Sequence, residues 1–80
     1  MKAAEARAIL KHLEENFTVT MLVPDLSVDS VKRAISLAKT RSPIKGRINY
    51  HTEPSHQEGL TSLSATLVIH APTVTITSLG

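Results

Sequence analysis

The hydrophobic repeat of this chain alternates between the period of a helix and the period of a strand, which limits the folds open to it. Residues 2–15 carry apolar side chains at the spacing of one helical face: Ala6, Ile9, Leu10 and Leu13. We expect Asn16 to end this helix in the left-handed conformation. From residue 17 to 23 apolar side chains recur at every second position, which predicts a strand that Pro24 stops.

A second helix is predicted to start near Ser27 and to end at Pro43. Ser27 is a good N-cap residue, and Asp29 places a negative charge in the first turn. Leu26 and Val31 stand at the positions of a hydrophobic staple. The predicted buried stripe consists of Val28, Val31, Ala34, Ile35 and Ala38.

Two further strands follow the second helix. Residues 44–51 alternate apolar with mainly basic side chains, and Gly46 among them suggests a bulge or a close backbone approach. Residues 54–59 form a turn-rich connection to a hairpin partner. In that partner the inward positions are predicted to be Leu63, Ala65, Leu67 and Ile69. After Pro72, residues 73–77 read as a short last strand at a sheet edge.

The predicted fold is therefore α+β: a two-layer α/β sandwich in the order α-β-α-β-β(-β), with two helices on one face of a mainly antiparallel sheet. We expect residues 1–80 to form a single domain, because no linker or repeat divides them. The opposite sheet face is expected to be polar, carrying Thr18, Thr20, Lys45, Arg47, Asn49, Ser62, Ser64 and Thr66.

Composition weighs against several classes of function. The chain has no cysteine, which excludes disulfides, thiolate metal sites and a thiol nucleophile. It has no serine-nucleophile motif and no glycine-rich phosphate loop, so we expect no catalytic residues, no enzymatic activity and no cofactor. It shows neither a signal peptide nor a run of membrane-spanning length. We therefore expect a cytoplasmic protein that does not act on a membrane.

Basic residues are concentrated in the middle of the chain. Residues 30–52 contain no acid but six of the nine basic side chains, which are Lys32, Arg33, Lys39, Arg41, Lys45 and Arg47. Such a patch would attract phosphate or carboxylate partners. The alternative is an ordinary solvated surface, because the net charge of the whole chain is only +2.

Residues 59–80, by contrast, carry no formal charge apart from a proton that His70 could hold. A neutral, β-branched segment of this kind must be paired or covered. We expect either an interior strand or an edge that pairs with a second copy or a partner protein, with Thr73, Thr75 and Thr77 as the candidate interface.

His51, Glu53 and His56 form an H-x-E-x-x-H spacing, and imidazole and carboxylate groups are zinc ligands. However, Pro54 prevents the helix on which the H-E-x-x-H motif depends. We therefore interpret these residues as polar loop side chains and predict no metal site.

The unit from Leu26 to Glu53 pairs a capped helix, SVDSVKRAISLAK, with the strand IKGRINY. This unit resembles the helix-then-strand core of small phage-encoded inhibitors of the anti-CRISPR type. The resemblance covers about a third of the chain. It implies a protein that blocks a host machine by occupying one of its surfaces, in the cytoplasm of an infected cell.

Three functional hypotheses follow from the sequence. The first is a small protein-interaction module, as in a phage or mobile-element inhibitor, whose partner is a host protein. The second is a nucleic-acid-binding protein that uses the basic residues at 32–47. The third is a structural subunit that assembles with copies of itself, for which a homodimer is the simplest form.

Overall fold

A computed structural model describes residues 1–69 of the chain. Helix α1 spans Ala3–Asn16 and strand β1 spans Thr18–Pro24. A short 3₁₀ turn at Asp25–Ser27 leads into helix α2, Val28–Thr40. Strands β2, Arg47–Pro54, and β3, Leu60–Val68, complete this part of the chain. The α+β class and the order helix, strand, helix, strand, strand are confirmed.

The three strands of the described region form one antiparallel sheet in the order β1-β3-β2. The last strand of the three is therefore the central one, and it pairs with both of the others. Both helices lie on one face, where the core is built from Leu13, Val23, Val31, Ile35, Leu63, Ala65 and Leu67. The predicted two-layer sandwich is thus observed over residues 1–69.

The connection from α1 to β1 differs from the expectation for Asn16. Phe17 is the residue in the left-handed conformation, with φ at 68°, and its amide donates to the Leu13 carbonyl oxygen. Asn16 remains helical, and its side-chain amide donates to the His12 carbonyl oxygen one turn back. Phe17 is 52% exposed, so it does not share the buried face of the strand that follows.

Helix α2 begins directly after Ser27, as predicted, but the predicted capping interactions do not form. Ser27 has helical backbone angles and makes no side-chain cap hydrogen bond; Ser30 instead donates to the Ser27 carbonyl oxygen at 3.1 Å. Leu26 is fully exposed, so the predicted staple with Val31 does not form. The preceding 3₁₀ turn accounts for both differences, because it carries the backbone into helical geometry before Ser27 and turns Leu26 to solvent.

Two further details concern the strand ends. β2 begins at Arg47 rather than at residue 44, and β3 ends before Ile69, which is 52% exposed and not inward as predicted. The close approach at Gly46 is confirmed: a β-carbon there would collide with the Val68 carbonyl oxygen. The predicted last strand, residues 73–77, lies outside the described residues.

Candidate functional site

The sheet face opposite the helices is uncovered in the described structure and carries short polar side chains in register. The pairing of the strands sets these side chains in rows: Thr18, Thr66 and Asn49; Thr20, Ser64 and His51; Leu22, Ser62 and Glu53. Within the second row, the hydroxyls of Thr20 and Ser64 are hydrogen-bonded at 3.0 Å. The predicted polar face is thus a sheet surface rich in hydroxyl groups.

One end of this face carries the histidine–glutamate pair that the sequence singled out. His51 Nε2 lies 3.0 Å from Glu53 Oε1, and both side chains are exposed. Among residues 1–69 no three histidine, aspartate or glutamate side chains stand close enough to hold a metal ion. An exposed pair of this kind contributes little to stability.

The outer edge of β1 is the second feature of this surface. β1 pairs with β3 on one side, and no other strand in residues 1–69 pairs with it. Two hydrogen bonds at the ends of β1 show which of its residues turn their backbone groups toward β3. The Leu67 amide donates to the Phe17 carbonyl oxygen, and the Asp25 amide donates to the Gly59 carbonyl oxygen.

In an antiparallel ladder, alternate residues turn both backbone groups toward the same neighbour. The odd-numbered residues of β1 therefore bond to β3. The even-numbered residues Thr18, Thr20 and Leu22 direct their amide and carbonyl groups outward, and Pro24 adds a carbonyl but no amide. The outer edge of β1 thus offers three donors and four acceptors for another strand.

The β1 edge has none of the charged residues by which proteins usually protect sheet edges. Its sequence, TVTMLVP, contains no ionisable side chain, Leu22 is 55% exposed, and Val19 and Met21 are half-buried. An exposed, uncharged edge strand is a site at which another strand readily pairs. Within the described structure, β1 is therefore a candidate interaction site.

The β2 edge is different, because it is protected. β2 carries the ionisable residues Arg47, His51 and Glu53, and it ends at Pro54. Helix α2 also lies against it: Tyr50 donates to the Lys32 carbonyl oxygen at 3.1 Å, and its hydroxyl lies 2.8 Å from the Ser36 hydroxyl. Charge and a proline blunt such an edge.

Tyr50 also has a displaced titration. Burial raises the pKa of its phenol above the ordinary value of about 10, and the hydrogen bond with Ser36 partly opposes that increase. The Lys32 ammonium lies 5.9 Å from the ring centroid, within the range of a cation–π contact. Tyr50 therefore anchors α2 to β2.

The six basic residues predicted as a patch lie on different parts of the surface. Lys32, Arg33 and Lys39 are on α2, in the helix layer, and Arg41 directly follows that helix. Lys45 precedes β2. Ile48 and Tyr50 face the helices, so Arg47, which alternates with them, lies on the open face of the sheet. The fold therefore separates the helix-borne charges from Arg47.

Besides two open concavities of about 430 and 410 Å³ around the β2–β3 connection, the described surface has a cleft between the helices. It has a volume of about 160 Å³ and an apolar lining that includes Ala6, Ala34 and Leu37, with Arg7 and Arg41 also among its residues. Small-molecule sites usually occupy about 300–1,000 Å³, so this cleft is small for one.

The sequence-based interpretation assigned edge pairing to the segment after Pro72. Thr73, Thr75 and Thr77 lie outside the described residues. The β1 edge was not recognised, although the absence of charge between Thr18 and Pro24 was a readable signal. What the sequence lacked was the strand order, which leaves β1 on the outside of the sheet.

Neither helix of the described region combines the length and the apolar character that crossing a bilayer requires. In the comparisons with known proteins, no family model matches the chain, and no curated protein or solved structure is significantly similar to it.

Proposed function

We propose that this chain is a small, non-enzymatic protein-interaction module that binds its partner by strand addition at the outer edge of β1. The observation that carries the proposal is the row of outward backbone groups at Thr18, Thr20 and Leu22 on a strand without charge. In strand addition, backbone hydrogen bonds supply much of the affinity, and the side chains of alternate residues supply selectivity.

The character of this edge favours a protein strand over a nucleic acid. Phosphate recognition depends on lysine and arginine, and β1 has neither. The six basic residues at 32–47 occupy the helix layer, the loop before β2 and the open face. A single continuous track for a phosphate backbone therefore has less support from the fold than a strand-binding edge has.

As the biological role of this module we propose a phage or mobile-element inhibitor that occupies a surface of a host protein. This role rests only on the resemblance of residues 26–53 to small phage-encoded inhibitors. Such an inhibitor would act in the cytoplasm of the host. Strand addition suits it, because the backbone groups along one edge strand already supply a row of hydrogen bonds to a partner strand.

Two proline variants on opposite edges test the proposal. Thr20→Pro removes an outward donor from β1, and proline is tolerated where the amide of an edge strand faces solvent. Thr52→Pro is the matched control: Thr52 is also exposed, and the register places its amide outward on β2. Circular dichroism would first show that both variants are folded.

Peptides would then be selected from a displayed random library on the wild-type protein. We expect uncharged, β-branched peptides that bind wild type and Thr52→Pro but bind Thr20→Pro at least tenfold more weakly. Their affinity should change little between 50 and 300 mM salt. The proposal is wrong if the selected peptides bind both variants equally, or if they are acidic and lose affinity steeply with salt.

A further inference from the structure

We propose that the strand added to β1 is β1 of a second copy of this chain, so that the protein forms a two-fold symmetric dimer with a continuous six-stranded sheet. This inference rests on the proposed function, since it names the partner of the same edge. It is carried by the self-complementary hydrogen-bond pattern of that edge and by the distribution of charge over the sheet.

The outward groups fix the register of such a dimer. An antiparallel pair that uses the outer edge must set even-numbered residues opposite even-numbered residues. If the two-fold axis passes through Thr20, the Thr20 residues of the two copies lie opposite each other, and Thr18 of each copy lies opposite Leu22 of the other. Every outward amide from Thr18 to Leu22 then finds a carbonyl, giving six intermolecular hydrogen bonds.

The proline at the end of β1 favours this register over the next one. A shift by two residues, with the axis at Met21, keeps six intermolecular hydrogen bonds, but it sets the Pro24 ring against the Thr18 carbonyl oxygen of the second copy and leaves that carbonyl without a donor. With the axis at Thr20, Pro24 lies beyond the paired residues.

The side chains along β1 are also compatible with a two-fold axis. On the helix side, Val19 would lie opposite Met21 of the second copy, in the closely spaced type of pair that brings side chains together. Both residues are half-buried in the single chain, so pairing would cover apolar surface that is now exposed. No charged residue of β1 meets its own copy.

The dimer also explains the contrast between the two edges of the sheet. In the order β2-β3-β1-β1-β3-β2, the uncharged strand lies in the interior and the two charged β2 strands form the outer edges. Because charged edges resist further pairing, the assembly would stop at two copies. A closed two-fold dimer is also the commonest symmetry among soluble oligomers.

The test uses charge at the axis of the full-length protein. Thr20→Glu places two carboxylates opposite each other in a dimer, and Thr20→Lys places two ammonium groups there. The matched controls are Asn49→Glu and Asn49→Lys, which put the same charges on the open face of β2. Sedimentation velocity would measure the dissociation constant of each variant and of a one-to-one mixture of the two Thr20 variants.

We expect wild type and both Asn49 variants to dimerise with similar affinity. Each Thr20 variant alone should dissociate at least tenfold more readily, because like charges face each other, and the mixture should regain a dimer. Recovery in the mixture would show that the Thr20 variants are folded. Wild-type amides of Thr18, Thr20 and Leu22 should show hydrogen-exchange protection that grows with protein concentration.

Three results would overturn the inference, and each has its own consequence for the proposed function. The first is a protein that stays monomeric at millimolar concentration although its β1 edge still binds selected peptides; strand addition would then stand, and the dimer would be excluded. A dimer insensitive to both Thr20 variants is built on another surface. Protection of the Thr20 amide in a monomer, independent of concentration and without peptide, means that the chain covers its own edge, which defeats both proposals.

Discussion

Replacing Gly46 with alanine should show how much of the protein's stability depends on the absence of a β-carbon at this position. Gly46 immediately precedes β2 and has φ at 109°, a conformation that residues with a β-carbon rarely adopt. A β-carbon there would collide with the Val68 carbonyl oxygen and would lie 3.2 Å from its carbonyl carbon. The obstacle is backbone of the central strand, which cannot move aside as a flexible side chain could.

The expected loss has two parts. A non-glycine residue in a sparsely populated backbone region costs about 1–3 kcal/mol, and overpacking costs about 1–3 kcal/mol more. We therefore expect Gly46→Ala to lower the free energy of unfolding by about 4 kcal/mol. Gly59→Ala is the matched control: its φ is 81°, but its β-carbon would meet nothing within 4 Å. For Gly59 only the backbone part applies, and since its φ is in the left-handed region we expect a loss at the lower end of that range, about 1–2 kcal/mol.

Urea unfolding followed by circular dichroism would measure both variants. In thermal unfolding, 1 kcal/mol moves Tm by about 4–8 °C in a domain of this size, so Gly46→Ala should melt about 16–32 °C lower than wild type and Gly59→Ala about 4–16 °C lower. The reasoning is refuted if Gly46→Ala destabilises no more than Gly59→Ala does, because the contact with Val68 would then cost nothing.

Three further expectations follow from the described structure. Tyr50 is the single tyrosine of the chain, so an absorbance titration reports it alone, and its midpoint should lie above about pH 10 in the folded protein. Because the pKa of Tyr50 is higher in the folded than in the unfolded protein, its contribution to the free energy of unfolding is complete below the unfolded pKa and is lost as the pH rises through the folded pKa. Tyr50→Phe should remove this pH dependence. At neutral pH, Tyr50→Phe should cost about 1–2 kcal/mol through its lost hydrogen bonds, and a change near zero would contradict the anchoring role. Leu63→Ala should cost about 2–5 kcal/mol in chemical denaturation because Leu63 is fully buried, whereas Leu26→Ala, at a fully exposed position, should stay within about 0.5 kcal/mol, and equal losses would mean that the core is misplaced.

The elements that the sequence predicted well are those with a strong local repeat. The helical stripe of α1 contains Leu10 and Leu13, and both are buried as expected. The alternation in β3 likewise put Leu63, Ala65 and Leu67 in the core. These predictions held because burial on one face imposes a fixed period on the chain, and that period is visible without any knowledge of tertiary contacts.

Predictions at the ends of elements were less successful. Ser27 stands at the N-cap of α2, yet it is the last residue of the 3₁₀ turn and already has helical backbone angles, so its side chain makes no cap hydrogen bond. Phe17 takes the left-handed conformation that Asn16 suits better by intrinsic preference. At such positions the local preference amounts to about 1 kcal/mol, so packing of the neighbouring elements overrides it.

The candidate site depended on tertiary information in a different way. The lack of charge in β1 is a property of the sequence, but that property matters only on an edge. The same seven residues in the middle of the sheet would be an ordinary buried strand. The basic residues at 32–47 were predicted to form one patch because they are close in sequence. In the fold, however, Arg47 lies on the sheet face opposite the one that carries α2.

Over residues 1–69 the sequence by itself determined the helices, the strands and their apolar faces, because each of these follows from local periodicity; at Gly46 it indicated a bulge or a close backbone approach, and the structure shows the close approach. Only the tertiary structure decided that β3 is central and β1 lies at the edge. Strand order is set by contacts between residues far apart in the chain, such as Thr20 and Ser64, and no local pattern records them. The amides of Thr18, Thr20 and Leu22 point outward from the sheet only because of that order.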